Sequence, residues 1–218
     1  MILPPVHHAP GFVTPCLPSN SHTVPSGPQW VYEIKHDGFR FICRRDGDRV
    51  RVFSRRGIDH SDRAPAIADA LLALNVRSVT IDGEGVVCGP DGVTDFDRLR
   101  AAMGRKASRQ AFLYAFDLLE LDGQDLRREP WETRRATLTS LLRKAADGIR
   151  LCEHFDAADG ETVFVHACRM GLEGIVAKRR DRPYRSGRSL DWIKVKNSEH
   201  PAMARAELIV LSKRQQAK

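Results

Sequence analysis

The sequence predicts an α+β fold in which antiparallel sheets are flanked by helices. Short apolar runs are separated by turn signals, of which Asp46-Gly47-Asp48 is the clearest hairpin turn. Several other segments carry apolar residues at helical spacing. Strands and helices do not alternate in the regular order that a doubly wound parallel sheet requires, which favours antiparallel sheets.

Regular structure is expected from residue 30 onward, with no internal repeat. Strands are predicted at 30–34, 39–44, 49–53, 79–88, 111–119, 174–178, 192–195 and 208–211. Helices are predicted at 64–74, 95–103, 131–145 and 161–170. Pro65 stands early in the first helix, where proline is tolerated, and Gly171 caps the last one.

The helix predicted at 131–145 is expected to be a surface element. Its basic residues are Arg134, Arg135, Arg143 and Lys144. Charged side chains on an amphipathic helix usually face water, so a solvated face is favoured here over a second functional site.

The first 28 residues are set apart by their proline content. Six prolines lie between positions 4 and 25, and Pro28 stands at the boundary. Proline fixes φ and donates no backbone hydrogen bond, so regular structure is not expected in this segment. The interpretation is an extended arm at 1–28, lying on the surface or partly mobile, followed by one domain at 29–218.

Composition limits the class of protein. The chain has 218 residues, 42% hydrophobic and 29% charged, which is typical of a globular domain. No apolar run approaches the roughly 20 residues of a membrane span, and no secretory signal begins the chain, so a cytoplasmic protein is expected. Neither the five cysteines nor the histidines have metal-ligand spacing. The net charge of +7 favours a polyanionic partner.

The central candidate for chemistry is Lys35 in the segment Glu33-Ile34-Lys35-His36-Asp37-Gly38-Phe39-Arg40. A lysine between a strand and a glycine-containing turn can be held rigidly at a pocket wall. Its amine attacks phosphorus only when neutral, a state that neighbouring cations, a metal and desolvation favour. The pattern by itself is equally consistent with a plain hairpin turn carrying solvated charges.

Five further elements follow that lysine along the chain. They are Ser-Arg-Arg-Gly at 54–57, Asp-Gly-Glu at 82–84, Leu-Tyr-Ala-Phe-Asp-Leu-Leu at 113–119, Glu-Gly-Ile-Val-Ala-Lys at 173–178 and Trp-Ile-Lys-Val-Lys at 192–196. With residues 35–40 they resemble, in order, the signature elements of the covalent nucleotidyltransferases, which comprise ATP-dependent DNA ligases, RNA ligases and mRNA capping enzymes. The element at 113–119 and the loop Tyr-Arg-Ser-Gly-Arg-Ser at 184–189 are most similar to bacterial DNA-repair ligases.

This resemblance implies the nucleotidyltransferase fold of a DNA ligase adenylation domain, which is ATP-grasp-like, and it assigns roles. Lys35 would form a lysyl-AMP phosphoramidate with ATP. The other implied contacts are Glu33 and Ile34 at the adenine, Arg40 and Glu84 at the ribose, Phe116 stacked on the purine, Arg55 at the nucleotide or the nick 5′-phosphate, and Lys178, Lys194 and Lys196 around the α-phosphate. Lysines there would neutralise developing charge and keep Lys35 unprotonated.

Glu84 and Glu173 are the implied ligands of Mg²⁺ or Mn²⁺, since such ions prefer carboxylates together with phosphate oxygens. Asp37 would orient Lys35 or the metal shell, or simply form the turn. The structural alternatives are a core aromatic for Phe116, a cap or surface salt bridge for Glu173, and a solvated basic face for the lysines that follow it.

The implied partner is nicked double-stranded DNA. A dense group of arginines is equally consistent with a groove for the DNA backbone and with a solvated loop: Arg179, Arg180, Arg182, Arg185 and Arg188. Only 22 residues follow Lys196, too few for the OB-fold barrel that usually accompanies this domain. The alternatives are a minimal adenylation domain, a separate OB-fold or repair protein acting in trans, and a truncated chain.

The resemblance thus implies an ATP-dependent DNA ligase that seals 5′-phosphate/3′-hydroxyl nicks in DNA repair. Two alternatives stay open, namely an RNA-end ligase of the same superfamily and a non-catalytic module that binds nicks. The sequence has no phosphate-cradling GxxxxGK loop, which argues against a P-loop ATPase.

Overall fold

A computed structural model describes residues 11–104, 109–156 and 159–205. Within these ranges the strands, numbered in chain order, are β1 Cys16–Ser21, β2 Trp30–Ile34, β3 Phe39–Asp46, β4 Arg49–Ser54, β5 Ser78–Val86, β6 Phe112–Leu121, β7 Gln124–Asp125, β8 Ile149–Leu151, β9 His154–Phe155, β10 Gly174–Arg179 and β11 Gly187–Lys196. The helices are α1 Pro65–Leu72, α2 Phe96–Gly104, α3 Trp131–Leu142 and α4 Gly160–Arg169.

The strands form two sheets. The first has the order β1-β11-β10-β2-β9, and the second has the order β4-β3-β5-β6-β7 with β8 paired to β6. Most neighbours are antiparallel, as expected, but β1 runs parallel to β11 and β8 runs parallel to β6. The α+β prediction is therefore confirmed, with mixed rather than purely antiparallel sheets.

Three apolar clusters hold the layers together. The largest joins the second sheet to α1, α2 and α3, through residues such as Ile67, Leu99 and Leu138. Another packs α4 against the first sheet around Tyr32 and Ile175. A third lies between the two sheets, and the polar pocket described below opens beside it. Its members are Cys16, Ile42, Phe53, Phe116, Leu119, Cys152, Tyr184 and Trp192.

The expectation that residues 1–28 lack regular structure is wrong for Cys16–Ser21, which form β1 at the edge of the first sheet. An edge strand needs hydrogen bonds on one side only, so the missing N–H of Pro18 is tolerated there. The register shifts between Pro18 and Ser19, where the opposing strand skips from Ser189 to Ile193. Residues 1–10 lie outside the described part of the chain.

Helix α3, whose basic residues were expected to face solvent, also differs from the prediction. Arg134 and Arg135 on α3 are buried, with 0% and 4% of their surfaces exposed. The guanidinium of Arg134 makes two hydrogen bonds to the buried carboxylate of Asp117, at 2.7 and 2.8 Å. Arg143, at the end of the helix, is exposed as expected.

The remaining predicted elements from 30 to 195 are present, with ends shifted by a few residues. The strands β7, β8 and β9 are too short to have been predicted from their sequences. The strand expected at 208–211 lies outside the described residues. Among the described helices, none is long and apolar enough to cross a membrane.

Candidate active site

A pocket opens between the two sheets and holds most of the predicted site residues. It encloses about 920 Å³ of empty space, its open mouth included. The predicted residues that line it are Glu33, Ile34, Lys35, Arg40, Arg55, Glu84, Phe116, Lys178 and Lys194. Arg188, one of the arginines considered for a DNA groove, also lines it. The remaining lining residues had not been assigned a role, and they are Leu17, Pro18, His36, Val176 and Trp192.

Lys35 follows β2 directly and is held at both its backbone and its side chain. Its N–H donates to the carbonyl of Gly174 at 2.9 Å. Its ammonium donates to Glu173 Oε2 at 2.5 Å. The turn that follows packs tightly, because a Cβ on Gly38 would lie 2.3 Å from the carbonyl oxygen of Gly85. The lysine thus occupies a fixed position with its amine toward the pocket.

The carboxylate of Glu173 is 5% exposed and joins two lysines. Lys196 approaches Glu173 Oε1 at 3.6 Å, while Lys35 holds Oε2. The backbone beside Glu173 is fixed by Asn197, a buried residue that the sequence analysis missed. Its N–H donates to the carbonyl of Glu173 at 3.0 Å and its side-chain amide donates to the carbonyl of Leu172 at 3.1 Å.

Lys194 extends from β11 into the pocket and remains half-buried. Burial, followed by the positive charges of Lys35 and Lys196, lowers the pKa of Lys194 to about 8. Lys35, Lys194 and Lys196 therefore form a crowded cationic group near Glu173. Lys178, which was expected beside Lys194 and Lys196, pairs with Glu33 instead.

The inner end of the pocket contains a buried ion pair. The ammonium of Lys178 contacts Glu33 Oε2 at 2.7 Å, and it lies 4.0 Å from the ring centroid of Trp192 and 4.4 Å from that of Phe116. The second oxygen of Glu33 faces Arg135 at 3.9 Å. Within the described residues, that oxygen accepts no hydrogen bond.

Arg40 is bound on one side by Asp82. Its Nε and Nη2 donate to the two carboxylate oxygens at 2.5 and 2.7 Å, and Asp82 is fully buried. The guanidinium also lies 4.4 Å from the ring centroid of Phe116. Tyr184 completes the group, because its hydroxyl donates to Asp82 Oδ2 at 2.5 Å. Asp82 and Tyr184 were not predicted as site residues.

Glu84 and Glu173, the predicted metal ligands, both lie close enough to Lys35 to interact with its charge. Burial raises the pKa of Glu84 to about 7, although the charges of Lys35 and Arg40 oppose this shift. No group of three or more His, Cys, Asp or Glu side chains within 11–104, 109–156 and 159–205 is arranged to hold a metal ion.

The side chains of the neighbouring turn diverge. His36 lines the pocket, with its ring stacked on Tyr114 at a centroid distance of 4.1 Å. Burial, and then the charge of Lys35, lowers the pKa of His36 to about 4, so the imidazole is neutral. Asp37 instead pairs with Arg205 and lines a neighbouring cavity, away from the position next to Lys35 that had been expected.

The arginines of the 179–188 segment divide into two groups. Arg179, Arg180 and Arg182 are paired with Asp181 or Asp156. Arg185 and Arg188 are exposed, and neither has a carboxylate partner in the described part of the chain. Arg188 lines the pocket mouth together with the exposed Arg55.

The pocket lies between two mixed sheets, with a fixed lysine, an inner end of paired charges and aromatic rings, and a cationic mouth. This arrangement defines a nucleotidyltransferase class of site. Comparison with known families is more specific. The family model described as ATP dependent DNA ligase domain matches residues 17–196, and the chain belongs to that family.

Individual relatives agree with this assignment. The chain is 37% identical over 188 residues to the multifunctional non-homologous end joining protein LigD of Pseudomonas aeruginosa, covering 86% of this chain and 22% of the relative. It is 37% identical over 175 residues to a probable DNA ligase of Sorangium cellulosum, covering 76% of this chain and 33% of the relative. A solved structure of mycobacterial DNA ligase D, complexed with ATP and MES, superposes with a TM-score of 0.72 at 31% identity over 84% of this chain and 60% of that one.

Proposed function

We propose that this domain transfers AMP from ATP to Lys35 and then to the 5′-phosphate of a DNA nick. The proposed location is the cytoplasm, in association with the nucleoid. The main supporting observation is the fixed amine of Lys35, which binds Glu173 and lines the pocket. Attack of the amine on the α-phosphorus forms an N–P bond and releases pyrophosphate. The 3′-hydroxyl of the nick then displaces AMP from the adenylated end and joins the strand.

The distribution of charge in the pocket supports one orientation of bound ATP. Two cations at the inner end are committed to carboxylates, Lys178 to Glu33 and Arg40 to Asp82. Toward the mouth, Arg55, Arg188 and Lys194 form no ion pair within the described residues. Unpaired cations suit a triphosphate, and the aromatic, charge-compensated inner end suits a base.

The inner end also favours a base that carries an exocyclic amino group. Glu33 Oε1 is buried and, as far as the described residues go, has no hydrogen-bond donor. A buried acceptor without a partner costs free energy, and an amino group of adenine would supply the missing donor. Phe116 and Trp192 provide ring surfaces for the purine beside it.

Glu173 is the group that handles the proton of the nucleophile. The ammonium of Lys35 must lose a proton before its nitrogen can attack phosphorus. Glu173 Oε2 lies 2.5 Å from that nitrogen, within the range for direct proton transfer. Lys196 and Lys194 then stabilise the negative charge that develops on the phosphate oxygens.

The residues present fit a divalent cation that is held largely by phosphate oxygens. Glu84 lines the pocket as a carboxylate without an ion pair among the described residues, whereas Glu173 is shared by two lysines. Glu84 is therefore the favoured protein ligand, in keeping with the way Mg²⁺ binds one or two carboxylates together with phosphates. When bound, Mg²⁺ or Mn²⁺ offsets phosphate charge.

The decisive experiment is covalent labelling. Incubation of the protein with α-labelled ATP and Mg²⁺ should attach one AMP, visible as label on a gel and as a mass increase that added pyrophosphate reverses. Lys35→Arg keeps the positive charge opposite Glu173 but removes the nucleophilic amine, so it should not label. Lys144→Ala, an exposed lysine beyond α3, is the matched control and should label normally.

Two results would contradict the proposal. Label on the Lys35→Arg protein would mean that another residue carries AMP. Absence of label on the unaltered protein at saturating ATP would remove the adenylation chemistry. For the later steps, the adenylated protein is mixed with a nicked duplex, and sealing without added ATP is expected only when the nick carries a 5′-phosphate.

A further inference from the structure

The hydroxyl of Tyr184 has no role in the chemistry proposed above, although it lies at the junction of the two sheets. We propose that Tyr184 is a positioning residue, whose hydroxyl fixes the carboxylate of Asp82 so that Asp82 aims the guanidinium of Arg40 at the bound nucleotide. This inference rests on the proposed use of the pocket for ATP.

The geometry of Tyr184 supports a specific rather than a general packing role. Its side chain is 5% exposed, and its hydroxyl donates to Asp82 Oδ2 at 2.5 Å while accepting from the N–H of Cys16 at 2.8 Å. Asp82 belongs to β5 of the second sheet, and Cys16 begins β1 of the first. One hydroxyl therefore connects a carboxylate in one sheet to a backbone donor in the other.

The proton of Tyr184 stays on its oxygen. Burial, followed by the charge of Asp82, raises the pKa of Tyr184 well above its ordinary value. The hydroxyl is therefore a permanent donor to Asp82 at neutral pH. A charge-assisted O–H···O⁻ contact of this kind is short and strongly directional.

Asp82 transmits this fixed orientation to Arg40. Three donor contacts hold one edge of the guanidinium, from Nε and Nη2 to Asp82 and from Nη2 to the carbonyl of Cys16 at 3.2 Å. The third nitrogen, Nη1, forms no hydrogen bond with any described residue, and Arg40 lines the pocket. The guanidinium therefore presents its two remaining N–H groups to whatever occupies the pocket.

Loss of the hydroxyl has a predictable consequence. In Tyr184→Phe the Asp82 carboxylate keeps its contacts with Arg40 but loses the hydrogen bond from the tyrosine hydroxyl. The N–H of Cys16 loses its acceptor. The carboxylate can then rotate, and Arg40 turns with it. A nucleotide contact that is made equally in the ground state and the transition state affects binding rather than the maximal rate.

The experiment compares Tyr184→Phe, Arg40→Gln and the double variant, using the full chain. We measure the Kd of α,β-methylene-ATP, which cannot transfer AMP, and the ATP dependence of lysyl-AMP formation. Tyr184→Phe should weaken nucleotide binding about tenfold, with little change in the rate at saturating ATP. In the Arg40→Gln background the same change should have no further effect, since the two residues act through one contact.

Tyr32→Phe is the matched control. Its hydroxyl is also buried and donates to the carbonyl of Pro25 at 2.8 Å, but it packs toward α4, away from the pocket. Tyr32→Phe should leave the nucleotide Kd unchanged. Unchanged binding in Tyr184→Phe, or an equal tenfold loss in the Arg40→Gln background, would overturn the inference.

Two further measurements keep the interpretation clear. Thermal unfolding tests whether each variant folds. If Tyr184→Phe does not fold, Asp82→Asn decides instead, because it keeps the hydroxyl but weakens the contacts of residue 82 with both Tyr184 and Arg40. Asp82→Asn should then give the tenfold loss, and unchanged binding would refute the inference. A protein that binds the analogue but never labels would refute AMP transfer while leaving the comparison of Tyr184 variants valid.

Discussion

Replacing Arg134 by alanine should nearly unfold the domain, although the residue lies outside the pocket. The side chains of Arg134 and Asp117 are both fully buried, and the guanidinium also donates to the carbonyls of Glu129 and Arg182 at 2.6 and 3.2 Å. The change leaves the Asp117 carboxylate with a single backbone donor, the N–H of Leu118 at 2.9 Å. A buried charge would then lack its counterion.

The expected loss follows from these contacts. Breaking a buried ion pair from one side costs about 3–5 kcal/mol. The Glu129 carbonyl loses its donor and adds about 1 kcal/mol, whereas the Arg182 carbonyl keeps the N–H of Trp131 at 2.9 Å. The total is therefore about 4–6 kcal/mol. Domains of this size are stable by about 5–15 kcal/mol, which leaves the variant close to the threshold of folding.

Urea unfolding followed by circular dichroism measures this loss. With a slope of about 2 kcal/mol per molar, the midpoint should fall by about 2–3 M. Arg143→Ala, an exposed arginine just past the end of the same helix, should shift stability by less than about 0.5 kcal/mol. Equal midpoints for the two variants would refute the reasoning. The double change Arg134→Met and Asp117→Leu should be less destabilising than Arg134→Ala, since it removes both charges.

Two further predictions concern the pocket. Because the pKa of Lys194 is lowered to about 8, its ammonium deprotonates between about pH 7 and about pH 9, and nucleotide affinity should decline over that range. Lys194→Arg should remove this decline, since a guanidinium stays charged. The Kd of α,β-methylene-ATP, measured against pH for both proteins, checks this, and the same pH dependence in both would contradict it. Asn197→Ala keeps the backbone N–H that binds the Glu173 carbonyl but removes the side-chain donor to the Leu172 carbonyl. The segment that carries Glu173 is then held less firmly beside Lys35, so lysyl-AMP formation should slow about tenfold at saturating ATP. A single-turnover rate equal to that of the unaltered protein would exclude this role.

The central strands could be predicted because their sequences combine apolar runs with unambiguous turns. The hairpin of β3 and β4 is an example, since Asp46 pairs with Arg49 across a turn that contains Gly47 in the left-handed region, at φ 59°. The edge strand β1 could not be predicted in this way. Its partner β11 follows it by about 170 residues, and a parallel pairing has no local turn signal.

The burial of α3 could have been predicted from spacing alone. Trp131, Arg134, Arg135, Leu138 and Leu142 are its buried residues, and they recur at the three- and four-residue intervals of a single helical face. Two arginines occupy positions of the apolar stripe, which indicates buried partners. The partners themselves are unpredictable, because Asp117 and the carbonyl of Cys152 come from separate strands or loops.

The candidate site shows the same division between local pattern and tertiary contact. The resemblance brought Lys35, Glu84 and Lys194 to one pocket from distant parts of the sequence, and the structure agrees. It did not predict Tyr184 or Asn197, whose importance depends on the atoms they contact. Tyr184 lies 102 residues from Asp82, and nothing in either segment indicates their hydrogen bond.

The location of the buried charges determines how variants of this site should be interpreted. Lys178 and Asp82 are 1% and 0% exposed, and each pairs with a counterion on a neighbouring strand of its own sheet, Glu33 and Arg40 respectively. Changing either one removes a pocket contact and also leaves a charge buried without a partner, so activity and stability fall together. Lys35 and Lys194 are partly exposed, so changing them costs little stability. Loss of AMP transfer in a Lys35 or Lys194 variant can therefore be attributed to chemistry, whereas the same loss in a Lys178 or Asp82 variant requires a measured free energy of unfolding beside it.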